Sequence, residues 1–188
     1  HLLLSLGAKA LQSESSATIR WRRYLFAMER WSIQVDKEYL KYSAAHFLIF
    51  PDGSAERLHG HNYRVYAEVE GPLSEQGLVM DFYSIKPLLR DLVEQLDEVW
   101  LLPGEHPELK IQTREDGVVE VRYRERYYAA PKEDVLVLPL NNTSVENMAA
   151  WLGKKLRAAL AEKFPQVEPD KIWLAVEESP GQRGVYSS

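Results

Sequence analysis

From Leu58 to Val69 the chain interleaves apolar Tyr63, Val65, Tyr66 and Val69 with polar residues, the period-two pattern of a strand with one buried face. Just before it, Pro51-Asp52-Gly53-Ser54 is a turn cluster, preceded by an apolar and β-branched run from Tyr39 to Phe50. The three pieces predict a hairpin, which restricts the chain to folds built around an antiparallel pair. The same strand opens with His59-Gly60-His61. Residues i and i+2 of a strand share a face about 6.5–7 Å apart, so both imidazoles can reach one ion at about 2.0–2.1 Å. His46, on the facing arm of the hairpin, can supply a third ligand. Three neutral imidazoles with one open position is the ligand pattern of a catalytic zinc. His1 and His106 lack such a context and read as solvated residues.

The rest of the chain surrounds this hairpin with alternating strands and helices. Trp31–Val35 reads as a strand, and Gly77–Phe82 as a short apolar run. Tyr83–Leu96 places Ile85, Leu88, Leu89, Leu92, Val93 and Leu96 at the spacing of an amphipathic helix. Residues 103–134 are rich in charge and aromatics, with a hairpin arm at Val118–Tyr128 and a turn at Pro131–Asp134. Val135–Leu140 is a further strand. Ser144 stands where an N-cap is needed, before a helix that carries Met148, Leu152, Leu156 and Leu160 on one face and stops at Pro165. Ile172–Val176 is the last predicted strand. The result is a single α+β domain over residues 28–188 with an insertion at about 103–134; residues 1–27 read as an extension outside it.

Composition narrows the chemistry. There is no cysteine, which excludes disulfides, thiolate metal sites and a cysteine nucleophile, and fits a cytoplasmic location. A formal charge of −5 speaks against nucleic acid as the main partner. The basic clusters Arg20, Arg22, Arg23 and Arg122, Arg124, Arg126 lie near Glu29, Glu120 and Glu125, as on a solvated face. No apolar run approaches the ~20 residues of a membrane span, and Leu2-Leu3-Leu4 is too short for a signal peptide.

Ala44-Ala45-His46 followed by Leu58-His59-Gly60-His61-Asn62-Tyr63 resembles the zinc signature of the 6-pyruvoyl-tetrahydropterin synthase superfamily, which includes the 6-carboxytetrahydropterin synthases. Further similar segments keep the family's order. They are Gly77-Leu78-Val79-Met80-Asp81-Phe82 with Lys86, Leu96-Asp97, Asn142 through Asn147, and Val176-Glu177-Glu178-Ser179 followed by Tyr186. The resemblance implies the tunnelling fold, a four-stranded antiparallel sheet with two helices on one face. It also implies a homo-oligomer, a hexamer of two trimers, with active sites at subunit interfaces. It implies a pterin substrate, 7,8-dihydroneopterin triphosphate, with Zn²⁺ on His46, His59 and His61. Glu178 would receive the paired N–H donors of the aminopyrimidine, Glu177 would point to the other face, and Ser144 and Glu146 would line the pterin pocket.

Two departures from the family pattern bear on the reaction. Ala55 occupies the place of the usual catalytic cysteine, and the adjacent Glu56 gives Glu-x-x-His-Gly-His. That resembles the branch in which glutamate is the base and the side chain is cleaved to 6-hydroxymethyl-dihydropterin. Asp97-Glu98 stands where the family has Asp-His, leaving Asp97 and Glu98 as the candidates to shuttle protons. The alternatives are 6-carboxytetrahydropterin or 6-pyruvoyl-tetrahydropterin synthesis, and a pterin-binding protein without turnover.

Overall fold

The long strand expected after the turn is the centre of the fold: β3 (His59–Gly71) is the longest strand and pairs on both edges. The structure, a computed structural model, describes residues 29–188. The expected extension at 1–27, with His1 and the Arg20, Arg22, Arg23 cluster, lies outside the described residues. Against one edge of β3 lies β2 (Lys41–His46), antiparallel, with His46 opposite His59, Ala44 opposite His61 and Tyr42 opposite Tyr63. Near the start of the same unit, β1 (Trp31–Val35) also pairs with β3. The strand expected to continue to Phe50 leaves the sheet after His46. There the Leu48 N–H turns to Glu56 (3.1 Å), and the Ile49 N–H and C=O turn to the Asn142 amide (3.3 and 2.9 Å).

After β3 come helix α1 (Phe82–Glu94) and strand β4 (Val99–Pro103). The segment from β5 (Lys110–Thr113) through β6 (Val118–Tyr123) to β7 (Arg126–Pro131) follows, then a 3₁₀ turn at Lys132–Asp134 and β8 (Val135–Leu138). Helix α2 (Val145–Lys163), β9 (Lys171–Ser179) and β10 (Gln182–Ser187) complete the unit Ser32–Ser188. The main sheet runs β10-β9-β3-β2-β4-β8. Its antiparallel part, β10-β9-β3-β2, is the expected four-stranded sheet. β4 and β8 extend it in parallel, because each returns to the sheet by a crossover: α1 before β4, and the insertion before β8.

The insertion is a three-stranded antiparallel sheet, β5-β6-β7, rather than a hairpin. It has its own apolar cluster, in which Val119, Val121, Tyr123 and Leu109 pack with Phe47, Ile49, Trp100 and Leu102. This second core is what draws Phe47 and Ile49 out of β2. β10 was not foreseen either. Gly181, at φ +82°, turns the chain, and Gly184 admits the start of α2 so closely that a Cβ would lie 2.5 Å from the Glu146 nitrogen.

Both helices pack into the main core. α1 buries Ile85, Leu88, Leu89, Leu92 and Val93, and α2 buries Met148, Leu152, Leu156 and Leu160, the stripes that the sequence periodicity predicts. They join Tyr42, Ala44, Tyr63, Val65, Ala67 and Val69 of the sheet with Ile172, Leu174 and Val176 of β9. Each helix begins at a side-chain cap. Asp81 accepts the Ser84 N–H at 2.8 Å, and Ser144 accepts the Asn147 N–H at 3.4 Å. Strand parity then has one consequence for function. His59 and His61 lie on the face of β3 that carries Tyr63 and Val65, so the histidines continue the core-facing side of the sheet toward its open end.

Candidate metal centre and pterin site

His46 and His59 are direct cross-strand partners, and the small Ala44 opposite His61 leaves room for the third ring. The ring centroids are 4.8 Å apart for His46–His59, 5.3 Å for His46–His61 and 4.8 Å for His59–His61. One ligand atom from each ring falls within 4.8 Å of the others. Two of the rings are oriented from behind: His46 Nδ1 lies 3.1 Å from the Thr143 carbonyl, and His59 Nδ1 lies 2.7 Å from the Arg57 carbonyl. Such a bond places the proton on Nδ1 and leaves Nε2 as the free donor atom. His59 Nε2 stands 2.9 Å from His61 Nε2, and the buried Nε2 of His46 has no hydrogen-bond partner.

These atoms fit a metal. Donors about 2.0–2.1 Å from a tetrahedral ion lie about 3.3 Å from one another, within the spread seen here. A buried polar atom with no partner is otherwise uncommon. Burial, reinforced by the neighbouring His59 and His61, lowers the pKa of His46 to about 4, against a smaller opposing effect of the Thr143 carbonyl and Glu56. The ring is therefore neutral at ordinary pH, as a ligand must be.

Glu56 stands beside the triad. Its Oε2 is 4.0 Å from His59 Nε2 and accepts the Leu48 N–H at 3.1 Å, and the side chain is half-buried. On β9, Glu178 lies on the same sheet face as the histidines, one step beyond the Arg64–Glu177 pair and hence level with Tyr63. Tyr42 and Tyr63 stack there at 4.6 Å, and both hydroxyls are buried without partners. Burial pushes both phenols well above their ordinary pKa, and the negative charge of Glu178 pushes further in the same direction. Glu177 points the other way, where Arg183 Nη2 lies 3.0 Å from its carboxylate and the Tyr66 hydroxyl donates to it at 3.3 Å.

The remaining expected residues are placed less centrally. Ser144 is the half-buried N-cap of α2, and Glu146 is exposed in its first turn. Asp97 Oδ1 accepts the Ser43 N–H at 2.7 Å, and the Glu98 N–H donates to the Ser43 carbonyl at 2.7 Å. The pair thus brackets β2 three residues from His46. Glu98, at φ +56°, lines an open cavity of about 490 Å³ with Gly60, Asn62, Trp100 and Asp134. Three residues had been given no role at the site by the sequence reading: Thr143, which orients His46; Asn142, which holds Ile49; and Arg126, which was read as part of a solvated cluster but is half-buried and donates to the Ala55 and Glu56 carbonyls.

The family model for 6-pyruvoyl tetrahydropterin synthase matches residues 34–188. The chain belongs to this family. It is 28% identical over 149 residues to a Methanocaldococcus jannaschii protein provisionally named as a 6-carboxy-5,6,7,8-tetrahydropterin synthase, covering 78% of this chain and 89% of that one. Its fold matches a crystal structure of 6-pyruvoyl tetrahydropterin synthase from Plasmodium vivax at a TM-score of 0.79 and 26% identity, over 85% of this chain and 98% of that one. Two further structures of the Plasmodium vivax enzyme match equally well; in them a glutamate described as a catalytic residue is replaced by alanine and by cysteine. Membership accounts for the two-helix, antiparallel core described above. Among the described residues no helix is long and apolar enough to cross a membrane.

Proposed function

We propose that this protein is a zinc-dependent pterin enzyme that cleaves the side chain of 7,8-dihydroneopterin or its triphosphate to 6-hydroxymethyl-dihydropterin, with Glu56 as base. The observation that carries the reading is the Glu56 carboxylate 4.0 Å from the imidazole of His59, in a chain without cysteine. That a glutamate is named as a catalytic residue in the Plasmodium vivax enzyme of similar fold agrees with this reading. His46, His59 and His61 would hold the metal, and the absence of any thiolate favours an imidazole set of the kind zinc accepts. Bound there, zinc would polarise the side-chain hydroxyls and make them more acidic.

Glu178, aimed from β9 at the same end of the sheet, would accept the two N–H donors of the aminopyrimidine in a charge-assisted pair. That contact sets which side-chain carbon reaches Glu56. The glutamate removes the proton from the hydroxyl on the second side-chain carbon, and the bond between the first and second carbons breaks. The second carbon leaves as an aldehyde. The first keeps the electron pair, conjugated with the ring, and takes a proton back.

The proton relay assigned by resemblance to Asp97 and Glu98 is a separable part of the proposal. Asp97 accepts the Ser43 N–H through one carboxylate oxygen only, so both carboxylates stay candidates to move a proton. A homo-oligomer with the site completed at a subunit interface belongs to the proposal in the same way. A second reading, 6-carboxytetrahydropterin synthesis, is favoured by the names of the matched relatives. Mass spectrometry of products from zinc-loaded protein incubated with dihydroneopterin and with its triphosphate separates the two. 6-Hydroxymethyl-dihydropterin is expected. A 6-carboxy or 6-pyruvoyl product transfers the function to the second reading, and bound pterin without any product overturns both.

A further inference from the structure

The insertion reaches back to the loop that carries Glu56. Its β6–β7 turn sets Tyr123 opposite Arg126, with Arg124 at φ +51° between them. From this turn the Tyr123 hydroxyl donates to the Gly53 carbonyl at 2.8 Å. The half-buried Arg126 donates through Nη2 to the Ala55 carbonyl at 2.5 Å and through Nη1 to the Glu56 carbonyl. The two carbonyls belong to the peptide planes on either side of the Glu56 Cα. Because peptide planes are rigid, a residue's backbone has only φ and ψ to vary, and fixing the planes on both sides fixes both angles. One planar guanidinium bridging the two carbonyls therefore sets the direction in which the Glu56 side chain leaves the backbone.

Other bonds hold the loop, and two reach Glu56 itself: its N–H fixes the first of the two planes, and its carboxylate accepts the Leu48 N–H, but none holds the second plane. The Asp52 carboxylate accepts the Ser54 N–H, the Glu56 N–H donates to the Leu48 carbonyl, and Ile49 bridges Ala55. Of the contacts to this loop, the Arg126 pair is the one that spans both planes. The second apolar core beneath the turn, including Tyr123 and Val121, keeps the turn itself in place.

We infer that Arg126 is a positioning residue for Glu56, and that the inserted three-stranded sheet serves the reaction by presenting it. The inference rests on Glu56 acting as the base. The two groups involved, the Glu56 carboxylate and the Arg126 guanidinium, can be tested separately.

The experiment measures steady-state kinetics, zinc content and amide hydrogen exchange for the full chain and for Glu56→Gln, Arg126→Ala and Arg126→Lys. Arg126→Ala is expected to lower kcat by about 100-fold, the size of effect that a misplacement near 1 Å produces, with KM nearly unchanged. Zinc content should stay at the wild-type level, and exchange should quicken only around residues 54–57. Added guanidinium ion should restore a substantial part of the lost kcat. Arg126→Lys, which keeps charge and stem but cannot span two carbonyls, should remain well below wild type.

Wild-type kcat in either Arg126 variant beside an inactive Glu56→Gln overturns the positioning role and leaves the base in place. Loss of zinc or of global protection without guanidinium rescue also overturns it, making Arg126 a plain structural residue. If Arg126→Ala does not fold, Arg126→Lys decides by the same criteria. A fully active Glu56→Gln, or a wild-type protein without turnover, removes the proposed base and this inference together.

Discussion

Glu177 and Glu178 are adjacent on β9 but face opposite sides of the sheet, and their surroundings differ in kind. Glu177 is only 8% exposed, yet its charge is met within the fold by Arg183 and by the Tyr66 hydroxyl, with the Arg183 guanidinium also lying 4.7 Å over the Tyr66 ring. The same outer face carries the Ser43–Asn62 hydrogen bond at 2.7 Å and the Arg64–Asp36 pair at 3.1 Å. On the helix-facing side, the polar atoms near Glu178 are not met: the hydroxyls of Tyr42 and Tyr63 and Nε2 of His46 are buried without partners. A fold tolerates orphaned polar atoms where something else is to be bound. The outer face leaves the Trp100 Nε1 unpartnered too, but its charged groups are paired within the fold, whereas the helix-facing side gathers three open polar atoms around the histidines and Glu178.

The strongest test of that distinction is to remove a metal ligand. His61→Ala should reduce bound zinc from about one per chain toward none and abolish turnover, measured by elemental analysis and product formation. The outer-face control Asn62→Ala should retain both. A variant of His61 with full zinc and activity would break the comparison at its centre.

Next in size, Glu56→Gln should lower kcat by about 10²–10⁴-fold with zinc content unchanged, as loss of a general base does. Glu178→Gln should lower kcat/KM by about 30–5,000-fold, the cost of leaving a charge-assisted contact half made, at about 2–5 kcal/mol. In contrast, Glu177→Gln should change kcat/KM by no more than about twofold, and should cost about 1 kcal/mol of stability by thermal denaturation. Equal kinetic effects of the two β9 substitutions would remove the contrast between the faces.

The smallest effect sharpens a boundary rather than testing the whole. Ser144 caps α2 and, by resemblance, lines the pterin pocket. Ser144→Ala should cost about 1 kcal/mol in denaturant unfolding if it only caps. A rise in KM beyond the small change expected of a cap would assign it to the ligand side as well.

These contrasts were unevenly legible in the sequence. The opposite facing of Glu177 and Glu178 follows from strand parity, and His59 and His61 share a face for the same reason. Ser144 could be read as a cap because it precedes a run with helical period. β10 escaped notice because Gln182–Ser187 carries a glycine where a core residue would show, and that glycine is needed to admit the start of α2. The insertion was read as one hairpin because β5, a four-residue strand with no buried residue, has no pattern of its own.

The sequence by itself determined what depends on neighbours along the chain: the two helices and their buried stripes, the central hairpin, the paired histidines, and the lack of any thiol. Periodicity and composition are local properties, so they survive in a one-dimensional string. Tertiary structure alone decided how the site is finished. Thr143 reaches His46 across 97 residues, Asn142 reaches Ile49 across 93, and Arg126 reaches Glu56 across 70. Two of these bonds end on backbone carbonyls, a group every residue has, and the third on backbone groups of Ile49, so no residue type at the receiving end announces them. They exist because the sheet, the α2 N-terminus and the inserted strands converge on one end of the molecule.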